Sequence, residues 1–459
     1  MTEQLKLIPP RVSAPGRPFG HWSGAFSPRF FLALIVGLVW LGPAWRDLRF
    51  VYVLGTWDLV VLALWWIDWR RLPSPSHVEI ARVWTDPVAL SNQATVHLEV
   101  HNHSRVAIDA SLEDEVPPTM RSAPPLIRTA VTPEVLAGGA YAILPLARGD
   151  HHLGRVFIRY RSALQLAERR ATADLRQTVR VFPNLQEAKK LSLYLIRSRQ
   201  IELEKRLQHR PERGREFESL RDYREGDELR DVCWTATARR GKLITKVHRA
   251  ERSQTVQVVL DAGRLMLARL GPLTKLDYAT TAALSLAQVA LAGGDMVGLL
   301  AYGRKIQARM APARSASHLR QMLDQLALVR GELLEADHSG AADILLSRQR
   351  RRSLIVWITD LAETAATPDV IESAVRLASR HLVLFVALGQ PDLEALLRER
   401  PSSPTMMYRY VAGLELVQRR ELLLRRLREQ GALALEIEPG RLATGLVNQY
   451  LQVKERSLL

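Results

Sequence analysis

Two aspartates stand where an α/β protein does its chemistry. The apolar run TVQVVL at residues 255–260 ends at Asp261, and the run SLIVWIT at 353–359 ends at Asp360. Runs this short and apolar predict strands buried on both faces. In open α/β sheets, ligands sit just beyond the carboxyl ends of strands, so both carboxylates are expected at a candidate site. Carboxylate oxygens are hard donors that suit Mg²⁺, which demands an octahedron of oxygens. The residues after Asp261 are Ala262, Gly263, Arg264 and Leu265. They offer no hydroxyl, and Arg264 brings positive charge. Mg²⁺ is the one cofactor this pattern admits, and it is expected to bind weakly or not at all. The aspartates are then expected to cap helices or pair with arginines.

A second concentration of chemistry lies between Arg215 and Lys242. It holds Glu216, Glu218, Arg221, Tyr223, Asp227, Arg230, Trp234 and Arg239. Opposed charges and aromatics at this density make either a recognition surface or a clamp of ion pairs. Glu216 and Glu218 flank Phe217, as on an extended segment. Residues 223–226 read as a turn, and Asp227 is placed to N-cap a helix running to about Arg239. On that helix Arg230, Trp234 and Ala238 are four apart and share a face. A clamp joining two domains, with Trp234 buried, is the expected role. There is no nucleophile–base–orienter set, no glycine-rich phosphate loop and no shielded acid pair, so an enzyme is not expected. Cys233 is the only cysteine, which excludes an intramolecular disulfide and suits a reducing compartment. It is expected as apolar filler beside Trp234.

These side chains need elements to position them. At 459 residues the chain has room for about three domains. Residues 30–45 are uncharged, and 50–67 are interrupted only by Asp58; Trp40, Trp45, Trp57, Trp65, Trp66 and Trp69 cluster in and beside these runs. This predicts a transmembrane helical hairpin with interfacial aromatics, in which Asp58 faces the other helix or a partner. Lys6, Arg11, Arg17 and Arg29 precede the runs and Arg70, Arg71 and Arg82 follow them, while the loop holds only Arg46 and Arg49 beside Asp47. The positive-inside rule then places both flanks in the cytoplasm at the inner membrane.

From residue 77 to about 183, period-2 alternation punctuated by prolines and by Gly138 and Gly139 predicts about seven short strands in an immunoglobulin-like β-sandwich. His101, His103, His151 and His152 lie in this stretch at spacings that fit no standard zinc pattern, and surface positions are expected for them. Residues 191–210 read as a helix. After the charged segment, strands alternate with helices, as in a mostly parallel sheet covered on both faces. The expected boundaries are a cytoplasmic tail at 1–28, the hairpin at 29–71, the sandwich at 76–184, a linker helix and charged segment at 185–254, and the α/β domain at 255–459. The net charge of +16 and pI near 10.3 invite a nucleic-acid reading. Interleaved acids and the lack of any recognised nucleic-acid module argue against that, and an anionic membrane surface is the plainer partner.

The register of Glu216, Phe217, Leu220, Arg221, Tyr223, Gly226, Asp227, Arg230, Trp234, Ala238 and Arg239 resembles the signature of the bacterial domain of unknown function 58 family. Residues 148–154 (RGDHHLG) and 181–183 (VFP) also match its preceding region. The resemblance implies a membrane-anchored, multidomain protein with a doubly wound von Willebrand factor type A-like domain. It also implies protein partners, with a MoxR-type AAA+ ATPase among them, in an assembly or chaperone role. The chain has no P-loop, so nucleotide chemistry would belong to the partner. The metal site of von Willebrand factor type A folds uses Asp-x-Ser-x-Ser, a Thr from a second loop and a later Asp. Asp261 and Asp360 match that pattern, Gly263 and Leu265 stand in place of both serines, and no Thr matches the second loop, where Ser315 and Ser317 are the nearest hydroxyls. The site is therefore a degenerate one. A metal-dependent hydrolase using Asp261 and Asp360, and a membrane-tethered nucleic-acid binder, are the alternatives.

Overall fold

The computed structural model describes residues 7–19, 24–45, 47, 49–184, 216–224, 232–249, 254–360 and 367–456. The helix expected over 191–210 lies outside them. The chain forms two compact units, Met1–Phe182 and Pro183–Leu459.

In the first unit, alternation sets strands with one buried face. Ala94–Asn102 is buried at every even position and half-buried at every odd one. It lies antiparallel between Val78–Trp84 and Leu136–Ile143. A second antiparallel sheet runs Ala167–Ala173, Val156–Arg161, Ile108–Asp114, Leu126–Val131. The sheets are joined by a fully buried ion pair. Arg82 donates from Nε to Asp114 Oδ2 at 3.0 Å and from Nη2 to Oδ1, and Tyr141 donates to Asp114 at 2.6 Å.

Residues 12–26, expected within a tail, belong to this unit. Val12–Pro15 extends the first sheet beside Val78–Trp84, while Arg17–Pro18 and Gly24–Phe26 pair with Ala167–Ala173. They satisfy edge N–H and C=O groups that would otherwise be open.

The apolar runs leave from the strand Gly24–Phe26. Ser27 accepts from Phe30 N and Pro28 occupies the first turn, which starts a helix at Pro28–Gly37. The chain then tightens into a 3₁₀ turn, Leu38–Trp40, and a short helical turn, Leu41–Ala44, holding Pro43. The first expected span is thus not one continuous helix. Arg49–Arg71 is continuous over 23 residues, and among the described residues it is the one helix long and apolar enough to cross a membrane. The two helices pack closely. A Cβ at Gly37 would strike the Trp57 ring, and Trp57 Nε1 donates to Ala33 O at 2.9 Å. Asp58 is half-buried on the helix face that also carries Val61, Trp65 and Asp68. Buried Asp68 accepts from Leu166 N at 3.0 Å, Ala167 N at 2.8 Å and the Ser162 hydroxyl, so the helix end is fixed to the second sheet.

In the second unit, Glu216–Asp222 pairs antiparallel with Ile244–Arg249. The main sheet has the order Ile306–Ala313, Met296–Tyr302, Thr255–Asp261, Leu354–Thr359, Leu382–Leu388, Leu433–Ile437, parallel except for its first strand. Leu354–Thr359 is buried at every position, as helices on both faces require. From the central strand Thr255–Asp261 the chain first builds one side and then crosses to Leu354–Thr359 on the other. The crevice at this reversal of strand order lies beyond Asp261 and Thr359.

Candidate functional site

The reversal point receives its side chains from four elements. Asp261 ends the central strand; its Oδ1 accepts from Gly263 N at 2.7 Å and its Oδ2 from Thr359 Oγ1 at 2.6 Å. Gly263 has no room for a side chain, because a Cβ there would lie 2.9 Å from Ala336 N. A serine at that position is therefore excluded by the backbone of the opposing loop. Arg264 turns away and pairs with Glu335 at 2.8 Å on the surface, so it is not the charge that acts on the site.

Two other cations fill that role. Lys275 is the first residue of the helix Lys275–Ala292, whose start is fixed by a reciprocal cap between Thr274 and Asp277. Its Nζ donates to Asp360 Oδ2 at 2.6 Å. Arg420, in the long helix Pro404–Glu429, donates from Nη1 to Asp360 Oδ1 at 2.9 Å and from Nη2 to Leu388 O, and its Nε lies 2.6 Å from Glu436. Lys275, Asp360 and Arg420 are all buried.

This donor set does not fit Mg²⁺. Both oxygens of Asp360 are engaged by an ammonium and a guanidinium, and both oxygens of Asp261 already accept hydrogen bonds. The expected hydroxyls are elsewhere. Ser315 caps the helix Ala316–Leu328 and accepts from His318 N, with Ser317 2.9 Å away. They follow the antiparallel edge strand, whose end pairs with the start of Met296–Tyr302. They therefore sit at the amino ends of the parallel strands, opposite Asp261. The hydrolase alternative requires a metal at Asp261 and Asp360, whose carboxylate oxygens are all engaged by protein donors.

Behind Asp261 lies a buried polar cluster. Trp357 Nε1 donates to the Tyr302 hydroxyl at 2.7 Å, and that hydroxyl lies 2.9 Å from His338 Nδ1. Burial pushes the Asp261 carboxyl up, against the pull of His338 and the Thr359 bond. Burial likewise pushes His338 down, which favours the neutral ring. The sequence pointed to neither Thr359 nor this cluster; Thr359 directly before Asp360 was the available signal.

The charged signature is divided by the structure. Glu216 and Glu218 lie on a strand, as their spacing suggested, with a bulge between Phe217 and Ser219. Arg221 and Tyr223 are half-buried near its end, and Tyr223 N donates to Leu243 O at 2.9 Å. Asp227 and Arg230 lie outside the described residues. The described helix spans only Trp234–Arg240, with Cys233 at its N-cap making no side-chain cap and Arg239 exposed in its last turn. Trp234 is 65% exposed, which contradicts a buried clamp ring. At the first helical position its side chain has no underlying turn to pack on. Trp234→Ala should therefore change the unfolding free energy, read from urea titration, by no more than about 0.5 kcal/mol, the ordinary surface range, rather than the several kcal/mol of a core tryptophan.

The fold and site define an α/β unit with a strand-end site occupied by lysine and arginine side chains, and a separate sheet-rich unit that carries one long apolar helix. The protein-family model described as "Protein of unknown function DUF58" matches residues 219–398. Among solved structures, the conserved hypothetical protein BatB from Bacteroides thetaiotaomicron is similar at 15% identity and a TM-score of 0.29, over 44% of this chain and 100% of that one. Proximal thread matrix protein 1 from the mussel byssus is similar at 10% identity and a TM-score of 0.28, over 43% and 46%. No curated protein matches the chain.

Proposed function

We propose that the chain is a membrane-anchored docking protein whose von Willebrand factor type A-like unit binds a protein partner. A MoxR-type AAA+ ATPase in an assembly or chaperone role is the partner that the family resemblance implies. The observation that carries this reading is the helix Pro404–Glu429. Met407, Tyr408, Val411, Leu414 and Val417 stand exposed along it, while Arg420 of the same helix reaches in to Asp360. Contiguous exposed apolar side chains with a polar rim mark interaction surfaces. The sheet order and the two strand-end aspartates support the fold assignment.

The anchor reading rests on Arg49–Arg71. The apolar stretch leaves from Gly24–Phe26 and returns to Val78–Trp84, both strands of one folded unit. A folded unit lies on one side of a bilayer, so a crossing by one helix calls for a return by the segment before it. The flanking arginines favour the cytoplasmic face of the inner membrane.

The test is recovery of the full chain from washed membranes in detergent, with and without ATP, followed by identification of co-purifying proteins. An AAA+ ATPase should be enriched with the wild type and lost with Tyr408→Glu/Val411→Glu. Recovery in the soluble fraction would overturn the anchor. An unchanged set of partners in the double variant would overturn the docking surface.

A further inference from the structure

We propose that the outer face of the first unit binds a zinc-class divalent cation between His101, His103 and Glu134. One ligand atom from each of these residues lies within 4.8 Å of the other two. The convergence comes from strand geometry. Side chains two apart on a strand share a face, and His101 lies on the outer face of Ala94–Asn102, with His103 just past its end. His101 Nδ1 and His103 Nε2 are 3.0 Å apart. Two neutral rings at this distance must share one proton. A zinc ion sits about 2.0–2.1 Å from each imidazole nitrogen, so a single ion could replace that proton without moving the strand.

The backbone fixes the ligands on both sides. His103 N donates to His77 O at 2.9 Å, and Glu134 N donates to Asn102 O at 3.0 Å. These bonds hold the main chain of two ligand residues, one just past the strand end and one in the neighbouring turn, so the side chains start from fixed positions. Glu79, opposite His101 on the neighbouring strand, brings its carboxylate to 3.6 Å from His103 Nε2. Two imidazoles with a carboxylate suit Zn²⁺ and its neighbours rather than Mg²⁺ or Ca²⁺. Three protein ligands leave a position for water or for a partner's side chain. The site is independent of Asp261 and Asp360 and of the docking proposal.

The experiment uses the full chain in detergent, purified without a histidine tag and stripped with chelator. Zn²⁺ is titrated by calorimetry near neutral pH. One equivalent should bind in the micromolar range or tighter. His101→Ala/His103→Ala should weaken binding by at least about 100-fold, the upper end of what losing even an outer-shell partner of a metal ligand costs. Glu134→Gln should cost about 10-fold on the same scale. His151→Ala/His152→Ala should bind as the wild type does. No zinc binding by the wild type, or undiminished binding by the His101/His103 variant, would overturn the proposal. Should that variant melt below the metal-free wild type, His103→Gln serves in its place, and retained affinity there overturns the proposal equally.

Discussion

Lys275→Met is expected to destabilise the α/β unit by about 3–5 kcal/mol, the usual cost of leaving a buried charge without its partner. Lys275, Arg420 and Asp360 form a buried group at the reversal point of the sheet, and Arg420 reaches out from it to the exposed Glu436. Methionine keeps the length of the stem and removes only the ammonium. Asp360 then keeps Arg420, which is itself shared with Glu436, and excess negative charge is left close to Asp261. Pulse proteolysis in urea, following cleavage within the second unit, reads the effect as a lower midpoint. Adding Asp360→Asn should restore a large part of the loss, because Arg420 still pairs with Glu436 once both Lys275 and the Asp360 charge are gone. An additive or worse double variant would mean that the two residues do not act as a pair. The same assay tests the metal. Millimolar Mg²⁺ should leave the wild-type midpoint unchanged, since a divalent ion must first displace an ammonium or guanidinium. A rise that depends on Asp261 would show that the ion wins.

That arrangement was only half legible in the sequence. The strand runs ending at Asp261 and Asp360 announce themselves, because buried parallel strands are short, apolar and locally patterned. The cations do not. Arg420 lies in a helix where Gly413, Leu423, Leu424 and Leu427 are buried while Met407, Val411, Leu414, Leu416 and Leu422 are exposed. Apolar residues on both sides of that helix blur the 3.6-residue stripe, so neither the helix nor its inward arginine stands out. Lys275 follows an evident helix start, but its partner is 85 residues away. Arg264 was the nearest charge in sequence and thus the misleading one.

The first unit shows the same division between local and non-local signals. The alternation in Ala94–Asn102 and Gln177–Val181 is local and was readable. The pairing of Val12–Pro15 with Val78–Trp84 joins edges across the whole helical insertion, and no local pattern reports it. Trp234 misled for a related reason. A tryptophan amid charges suggested burial, yet its depth depends on what lies under the first turn of its helix.

Asp114→Ala should cost the first unit about 3–5 kcal/mol, because it leaves the Arg82 guanidinium buried without its carboxylate. Arg82 and Asp114 are both fully buried, and a neutral side chain or a water supplies no compensating charge. Arg82 Nη1 would keep Leu175 O at 2.7 Å, and Tyr141 would lose its acceptor. Burial, reinforced by the Asp114 charge, pushes the Tyr141 phenol up, so it remains a donor throughout the physiological range. Scanning calorimetry of the full chain in detergent should show the transition of the first unit moving down while that of the second holds. Arg82→Met/Asp114→Leu, which removes both charges and fills the space, should regain most of the loss, as buried ion pairs often permit. Equal losses in both transitions would mean that the units do not unfold separately. Since Asp68 fixes the long apolar helix to this same unit, loosening its sheets should also make the junction at residues 162–167 more open to proteolysis. The intact pair therefore matters to the seating of the long apolar helix as well as to the core.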